Sequence, residues 1–224
     1  MMLEESQRSA TVGEKTYLRL REDIVCGRLP PGARLTLDRM RETYETSVGT
    51  LRETLNRLSS EGLIVAEGSR GFQVTPISAT NLREVAAMRC LLESHALRES
   101  FEAGDLEWEG SVVAAHHKLA LMERRMQAGE RSQARLWKQY DREFHGALIS
   151  ACDSQLLRET HALMYDRYLR YQMVVAVYRG EVAAGEHKRL LDCALKRDWK
   201  SAQSTLAKHV HDCVNHMIDQ RLVT

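Results

Sequence analysis

The sequence predicts a mainly α-helical chain in two parts: a small head of helices with one β-hairpin, then an antiparallel bundle made of helices alone. Three observations predict it. Proline is scarce, 3 in 224 residues, and phenylalanine equally so. The remaining composition, rich in Ala, Leu, Glu, Arg and Met, favours helices over strands. Apolar residues recur at helical spacing along most of the chain, and β-type segments occur only around residues 63–75.

The elements follow in order. Residues 1–13 are polar and read as a flexible N-terminus. From Glu14 to Val25 the apolar positions Tyr17, Leu18, Leu20, Ile24 and Val25 mark a helix, stopped by Gly27 and Pro30-Pro31-Gly32. A short helix is expected from Leu35 to Tyr44, then a turn at Glu45-Thr46-Ser47. Ser47 is placed to cap a second helix with the stripe Leu51, Leu55, Leu58 and Leu63. Leu63-Ile64-Val65-Ala66 and Phe72-Gln73-Val74-Thr75 read as two strands joined by the glycine-rich turn 67–71. Helix, helix, turn, helix and hairpin is the order of a winged helix-turn-helix, here over residues 14–75. Residues 76–79 read as a linker. Beyond it, helices are expected at 80–103, 106–128, 132–151, 155–178, 182–197 and 200–221, enough for one antiparallel bundle over residues 80–222.

Composition excludes several classes. Lys plus Arg number 32 and Asp plus Glu 31, for a net charge of +1. A polycation that coats nucleic acid through bulk charge is excluded; a local basic face is not. No apolar run reaches the roughly 18–20 residues that span a bilayer. The start lacks the basic-then-apolar pattern of a signal peptide. Five cysteines are scattered without Cys-x-x-Cys, against a disulfide framework or four-cysteine zinc site. A cytoplasmic protein with reduced thiols is expected.

A helix-turn-helix lodges its second helix in the major groove, N-terminal residues towards the bases. Here that end is Ser47 to Arg52. Ser47, Thr50 and nearby backbone amides suit phosphates, and Arg52 suits a phosphate or a guanine edge. Arg34, Arg39 and Arg41 lie upstream and Arg70 on the wing. Residues 1–77 hold 11 basic and 11 acidic side chains, so binding has to rest on placement.

In the bundle, polar residues interrupt apolar stripes, and an unpaired buried polar group is costly. Asp141 and His145 sit within the stripe Trp137, Tyr140, Phe144, Leu148. His187 sits within Ala183, Leu190, Leu191, Ala194, and His209 within Ala202, Leu206, Cys213, Met217. Three inward histidines and a carboxylate on three helices form a plausible metal site, suited to Zn, Ni, Mn or Fe rather than Ca. The competing reading is hydrogen-bonded core histidines. His116 and His161 also fall on stripes, and His209, Cys213 and His216 form a rival cluster. Arg89 interrupts the stripe Leu82, Val85, Leu92. It is either paired with Glu93 one turn on or a receptor for a planar anion.

Pro31-Gly32-Ala33-Arg34-Leu35, Ser47–Leu55 (SVGTLRETL), Arg57–Leu63 and Gly71-Phe72-Gln73-Val74 resemble the GntR family of bacterial transcription regulators. Its usual central stretch is SRTPVREAL. Ser47, Arg52, Glu53 and Leu55 match. Val48, Gly49 and Thr50 replace Arg, Thr and Pro, which implies a different operator or reliance on Arg39 or Arg41. Residues 79–220 resemble the FCD effector domain of the FadR-type members. Asp141-Arg-Glu-Phe144-His145, Glu186-His187 and Lys208-His209 match positions that bind a divalent metal in that family. The resemblance therefore implies Asp141, His145, His187 and His209 as ligands, zinc foremost. Arg89-Cys-Leu-Leu92-Glu93 matches a motif that implies Arg89, with Arg170 second, as the grip on an effector carboxylate.

The expectation is a metabolite-responsive regulator, a repressor, that binds a pseudo-palindromic operator as a homodimer and answers to a small carboxylic acid. It is not expected to be an enzyme. The rivals are a metal-dependent hydrolase-like activity, for which no inward general base is evident, and a structural ion without effector.

Overall fold

The structure, a computed structural model, describes residues 11–68, 71–175 and 177–223. It divides into two compact units between Ile77 and Ser78.

The first unit opens with α1 (Val12–Val25). Its start lies inside the stretch read as a flexible N-terminus, because Thr11 accepts the Glu14 N–H at 3.2 Å and caps it. After the Pro30-Pro31-Gly32 turn, the expected helix at Leu35 gives way to a strand, β1 (Arg34–Leu35). Gly32, at φ +77°, turns the chain so that its N–H donates to Val74 O at 2.9 Å, and Val74 N donates back to Ala33 O at 2.9 Å. Those bonds zip Arg34 and Leu35 onto the hairpin before a helix can start. Then come α2 (Leu37–Tyr44), α3 (Val48–Ser60), β2 (Ile64–Ala66) and β3 (Phe72–Val74). The sheet has three antiparallel strands in the order β1-β3-β2, one more than expected. Leu63 lies beyond α3. Gly62, at φ +74°, ends that helix, and Leu63 N donates to Leu58 O at 3.0 Å, burying Leu63 from the loop. Leu20, Ile24, Leu51, Leu55 and Leu58 complete the core.

The second unit is helical among its described residues: α4 (Ala79–Ala103), α5 (Leu106–Gln127), α6 (Ala134–Leu148), α7 (Gln155–Val174), α8 (Gly180–Leu195) and α9 (Trp199–Asp219), with one 3-10 turn at Arg131–Gln133. Ser78, Asp105, Ser154 and Asp198 cap α4, α5, α7 and α9 by accepting backbone N–H groups three residues on. α4 packs on α7 and α9, α5 on α6 and α8, and α8 on α9. All six helices turn a face to one interior. α7 stops at Val174, four residues earlier than expected, and the chain that follows carries Val177, Tyr178 and Arg179 over the bundle's side. Among the described residues no helix is long and apolar enough to cross a membrane.

Candidate functional site

In the first unit, α2 and α3 meet at a tight turn. Glu45 takes the left-handed conformation (φ 51°, ψ 48°), and Ser47 starts α3. Ser47 Oγ accepts the Thr50 N–H at 3.1 Å and lies 3.0 Å from Thr50 Oγ1. The arginines here form two sets. Arg21 donates to Glu61 at 2.8 Å, Arg57 donates to Glu14 at 3.0 Å from above the Tyr17 ring, and Arg28 pairs with Asp23. These tie the unit to itself. Arg34, Arg39, Arg41 and Arg52 are exposed and form no ion pair among the described residues. Arg70 lies outside the described residues.

In the second unit the bundle interior gathers Asp141 and His145 from α6, His187 from α8 and His209 from α9, all buried. One nitrogen from each of the three imidazoles lies within 4.8 Å of the others, a spacing that could hold a metal ion. Asp141 Oδ1 is 3.2 Å from His187 Nε2. His145 Nε2, His187 Nε2 and Asp141 Oδ1 are buried and find no hydrogen-bond partner among the described residues. An unpartnered imidazole nitrogen on His145 beside a His187–Asp141 ion pair is a donor set that an ion could satisfy. The donor set of imidazole and carboxylate fits a divalent transition ion.

Each imidazole is held from behind by its own glutamate. His145 Nδ1 donates to Glu93 Oε1 at 2.5 Å, His187 Nδ1 to Glu123 Oε1 at 2.6 Å, and His209 Nδ1 to Glu186 Oε2 at 2.8 Å. A carboxylate there accepts only, so it fixes the proton on Nδ1 and leaves Nε2 to face inward. Further groups hold the glutamates. Arg89 Nε (2.9 Å) and His161 Nε2 (3.0 Å) bind Glu93, and Arg179 binds Glu186 through two nitrogens at 3.1 Å each. Tyr165 donates to Asp141 Oδ2 at 2.8 Å, leaving Oδ1 for the centre.

The charges nearly balance. Four buried carboxylates, Glu93, Glu123, Asp141 and Glu186, face three side-chain cations, Arg89, Lys138 and Arg179. His187 makes up the difference. Burial opposes its charge, but the Asp141 and Glu123 carboxylates outweigh burial and push its pKa up to about 9. The other imidazoles go the opposite way. Burial lowers His145 and takes His209 down to about 3, against the pull of Glu93 and Glu186. Burial would raise the pKa of Glu186, but bonds from His209 and Arg179 hold it down at about 2.

The structure treats the other sequence-derived residues unevenly. Arg89 is fully buried and bound to Glu93, its guanidinium 4.2 Å from the Tyr165 ring centre and 4.8 Å from that of Tyr168. It stands behind His145 rather than beside the centre. Arg170 is also buried, and burial takes its pKa down to about 10. It lies two residues beyond Tyr168, about 160° around the helix, and lines neither cavity that adjoins the cluster. The rival cluster does not assemble: Cys213 Sγ accepts from Gln172 Nε2 at 3.2 Å, and His216 lines the outer cavity while His209 and Cys213 line the inner one. Tyr140, expected to point inward, is half-buried, and Lys138 is buried instead. Glu186, not counted among the inward residues, is fully buried behind His209. Sequence reasoning also missed Glu123, although a carboxylate within the stripe Leu119, Met122, Met126 was the same signal that marked Asp141.

Removing one partner of a buried ion pair costs about 3–5 kcal/mol, because the other charge stays buried and uncompensated. Arg89→Met is therefore expected to lower stability by that amount in denaturant unfolding. An unchanged midpoint would show that Glu93 does not depend on Arg89.

Comparison with known proteins adds the family. Residues 13–74 match the model for bacterial regulatory proteins of the gntR family, and residues 84–212 match the FCD domain. The HTH-type transcriptional regulator BphR of Paraburkholderia xenovorans (strain LB400) is 38% identical over 204 residues, 90% of this chain and 83% of the relative. The HTH-type transcriptional repressor GlaR of Escherichia coli (strain K12) is 27% identical, over 87% of this chain and 90% of the relative. Among solved structures, E. coli McbR/YncC superposes with a TM-score of 0.77 at 19% identity, covering 95% of this chain and 99% of that one. A GntR regulator from Rhodococcus sp. RHA1 gives 0.75 at 20% identity, covering 92% and 97%. With both halves matched and relatives aligned along nearly its whole length, the chain belongs to the GntR family of bacterial transcription regulators and carries an FCD domain.

Proposed function

We propose that this regulator is a repressor that binds a pseudo-palindromic operator as a homodimer and is controlled by a small carboxylic acid at a metal-bearing site in its helical domain. Residues 14–75 form the DNA-binding domain, 76–79 the linker and 80–222 the effector domain. The observation that carries the reading is the buried centre, where nitrogens of three imidazoles lie within 4.8 Å of one another and Asp141 Oδ1 is 3.2 Å from His187 Nε2.

Asp141, His145, His187 and His209 hold the ion, with zinc foremost and nickel, manganese or iron as alternatives. When bound, it supplies a Lewis-acidic point to which a carboxylate oxygen can attach. Charge supports an acid as the effector. With a divalent ion in place of the His187 proton, the buried centre has one positive charge in excess, which a single carboxylate cancels. The glutamates keep the imidazoles oriented, and Arg89 keeps Glu93 ionised behind His145; its role towards the acid is indirect.

In the head, Arg34, Arg39, Arg41 and Arg52, free of internal ion pairs, are available to DNA. Ser47 and Thr50, at the start of α3, offer hydroxyls to a phosphate, and Arg70 on the wing adds a further contact. A dimer places two such helices on two half-sites. Effector and operator then influence each other's affinity reciprocally. Repression is supported by E. coli GlaR and RspR, both described as transcriptional repressors.

Two measurements test this. Arg52→Ala is expected to weaken binding to the protein's own upstream DNA by about tenfold or more in gel shift, a loss of about 1–3 kcal/mol. Parent-like affinity would remove Arg52 from the interface. His187→Ala is expected to lower metal stoichiometry in the purified protein, measured by atomic emission. A full complement would exclude His187 as a ligand, and loss of the metal with no change in response to any acid would favour a structural ion.

A further inference from the structure

Two cavities with shared walls lie on the side of the histidine cluster. The inner one, at His187 and His209, has a volume of about 10 Å³, roughly what one water molecule needs. The outer one has about 550 Å³, within the roughly 300–1,000 Å³ of pockets that enclose small organic ligands. Trp137, Lys138, Gln172 and Val177 line both. The inner space therefore admits a head group at most, and any bulk has to remain outside.

The outer wall is mostly apolar and aromatic. Trp137 and Tyr178 meet edge to face, centroids 5.3 Å apart. Arg131, His216 and Gln220 also line this cavity, none of them buried, and the buried polar side chains, Lys138 and Gln172, line both cavities. Lys138 is 94% buried, yet its ammonium makes one long contact, 3.5 Å to Asp141 Oδ2, and lies 4.1 Å from the Trp137 ring centre. An ammonium carries three donors. Trp137 Nε1 and Gln172 Oε1 are buried without partners among the described residues. The join presents two donors, the Lys138 ammonium and the Trp137 indole N–H.

We infer that Lys138, with Trp137, receives the carboxylate of the effector, and that the effector is a monocarboxylic acid with an aromatic body lodged in the outer cavity. This deepens the reading of a carboxylate-responsive regulator and rests on it. Arg89 and Arg170 are not the acid's direct partners; both lie away from this join.

The test uses the full-length, zinc-loaded protein, titrated with 2-naphthoate and with acetate by calorimetry and tryptophan fluorescence. Naphthoate is expected to bind at least about tenfold more tightly than acetate. Lys138→Met is expected to weaken naphthoate about tenfold or more, the scale of a charge-assisted hydrogen bond. Ala134→Phe, which fills the outer cavity from its wall, is expected to abolish naphthoate binding and leave acetate binding intact. Parent-like naphthoate affinity in both variants would overturn the assignment. Equal affinity for the two acids would overturn the aromatic class while leaving a carboxylate effector in place. Failure of both acids to bind would overturn this inference together with the reading beneath it.

Discussion

The pairing of each inward imidazole with a buried glutamate is the constraint on which the helical domain depends. A carboxylate inside a bundle is tolerated only when hydrogen bonds and opposite charge replace its water. Here every glutamate has both, and the network draws a member from each of the six helices: Glu93 on α4, Glu123 on α5, Asp141 and His145 on α6, Tyr165 and His161 on α7, Glu186 and His187 on α8, His209 on α9. The core is therefore knotted at its centre by polar contacts and filled around them by Phe144, Leu190, Leu206 and Met217. Because the glutamates fix the tautomers, His145 and His209 turn bare nitrogens inward, and the one positive charge that the His187 proton supplies is a charge an added cation can supply in its place.

That arrangement connects packing to sensing. The site lies deep, but the end of α7 and the chain leading to α8 leave a cavity that narrows towards His187 and His209. Lys138 and Trp137 stand at the narrowing with donors to spare. A molecule that satisfies them also touches α6, α7 and α9, so binding would tighten three elements of one domain together. The head follows a similar logic with exposed charges. Some arginines are tied down by Glu14, Asp23 and Glu61, which hold α1 to the rest of that unit, and others are left to solvent on β1, α2 and α3.

Much of this was legible in the sequence. Ser47 marks a helix start because a capping oxygen serves backbone N–H groups that the helix itself cannot. Asp141, His145, His187 and His209 were legible because polar residues on apolar stripes have to meet one another. Strand β1 was not legible: two residues show no alternation, and their conformation comes from pairing with β3 across nearly forty residues of chain. Glu186 was not legible because it lies about 100° around the helix from His187, and the buried face of α8 is wide enough to take in both. Lys138 was invisible for a different reason. A lysine beside a stripe normally reaches solvent, and only the assembled walls of Trp137, Gln172 and Asp141 show that this one does not.

X-ray absorption at the metal edge of the zinc-loaded, full-length protein tests the central claim most directly. The account predicts a first shell of nitrogen and oxygen alone, with the multiple-scattering signature of three imidazoles. A shell containing sulfur, or one of oxygen without imidazole, would contradict it.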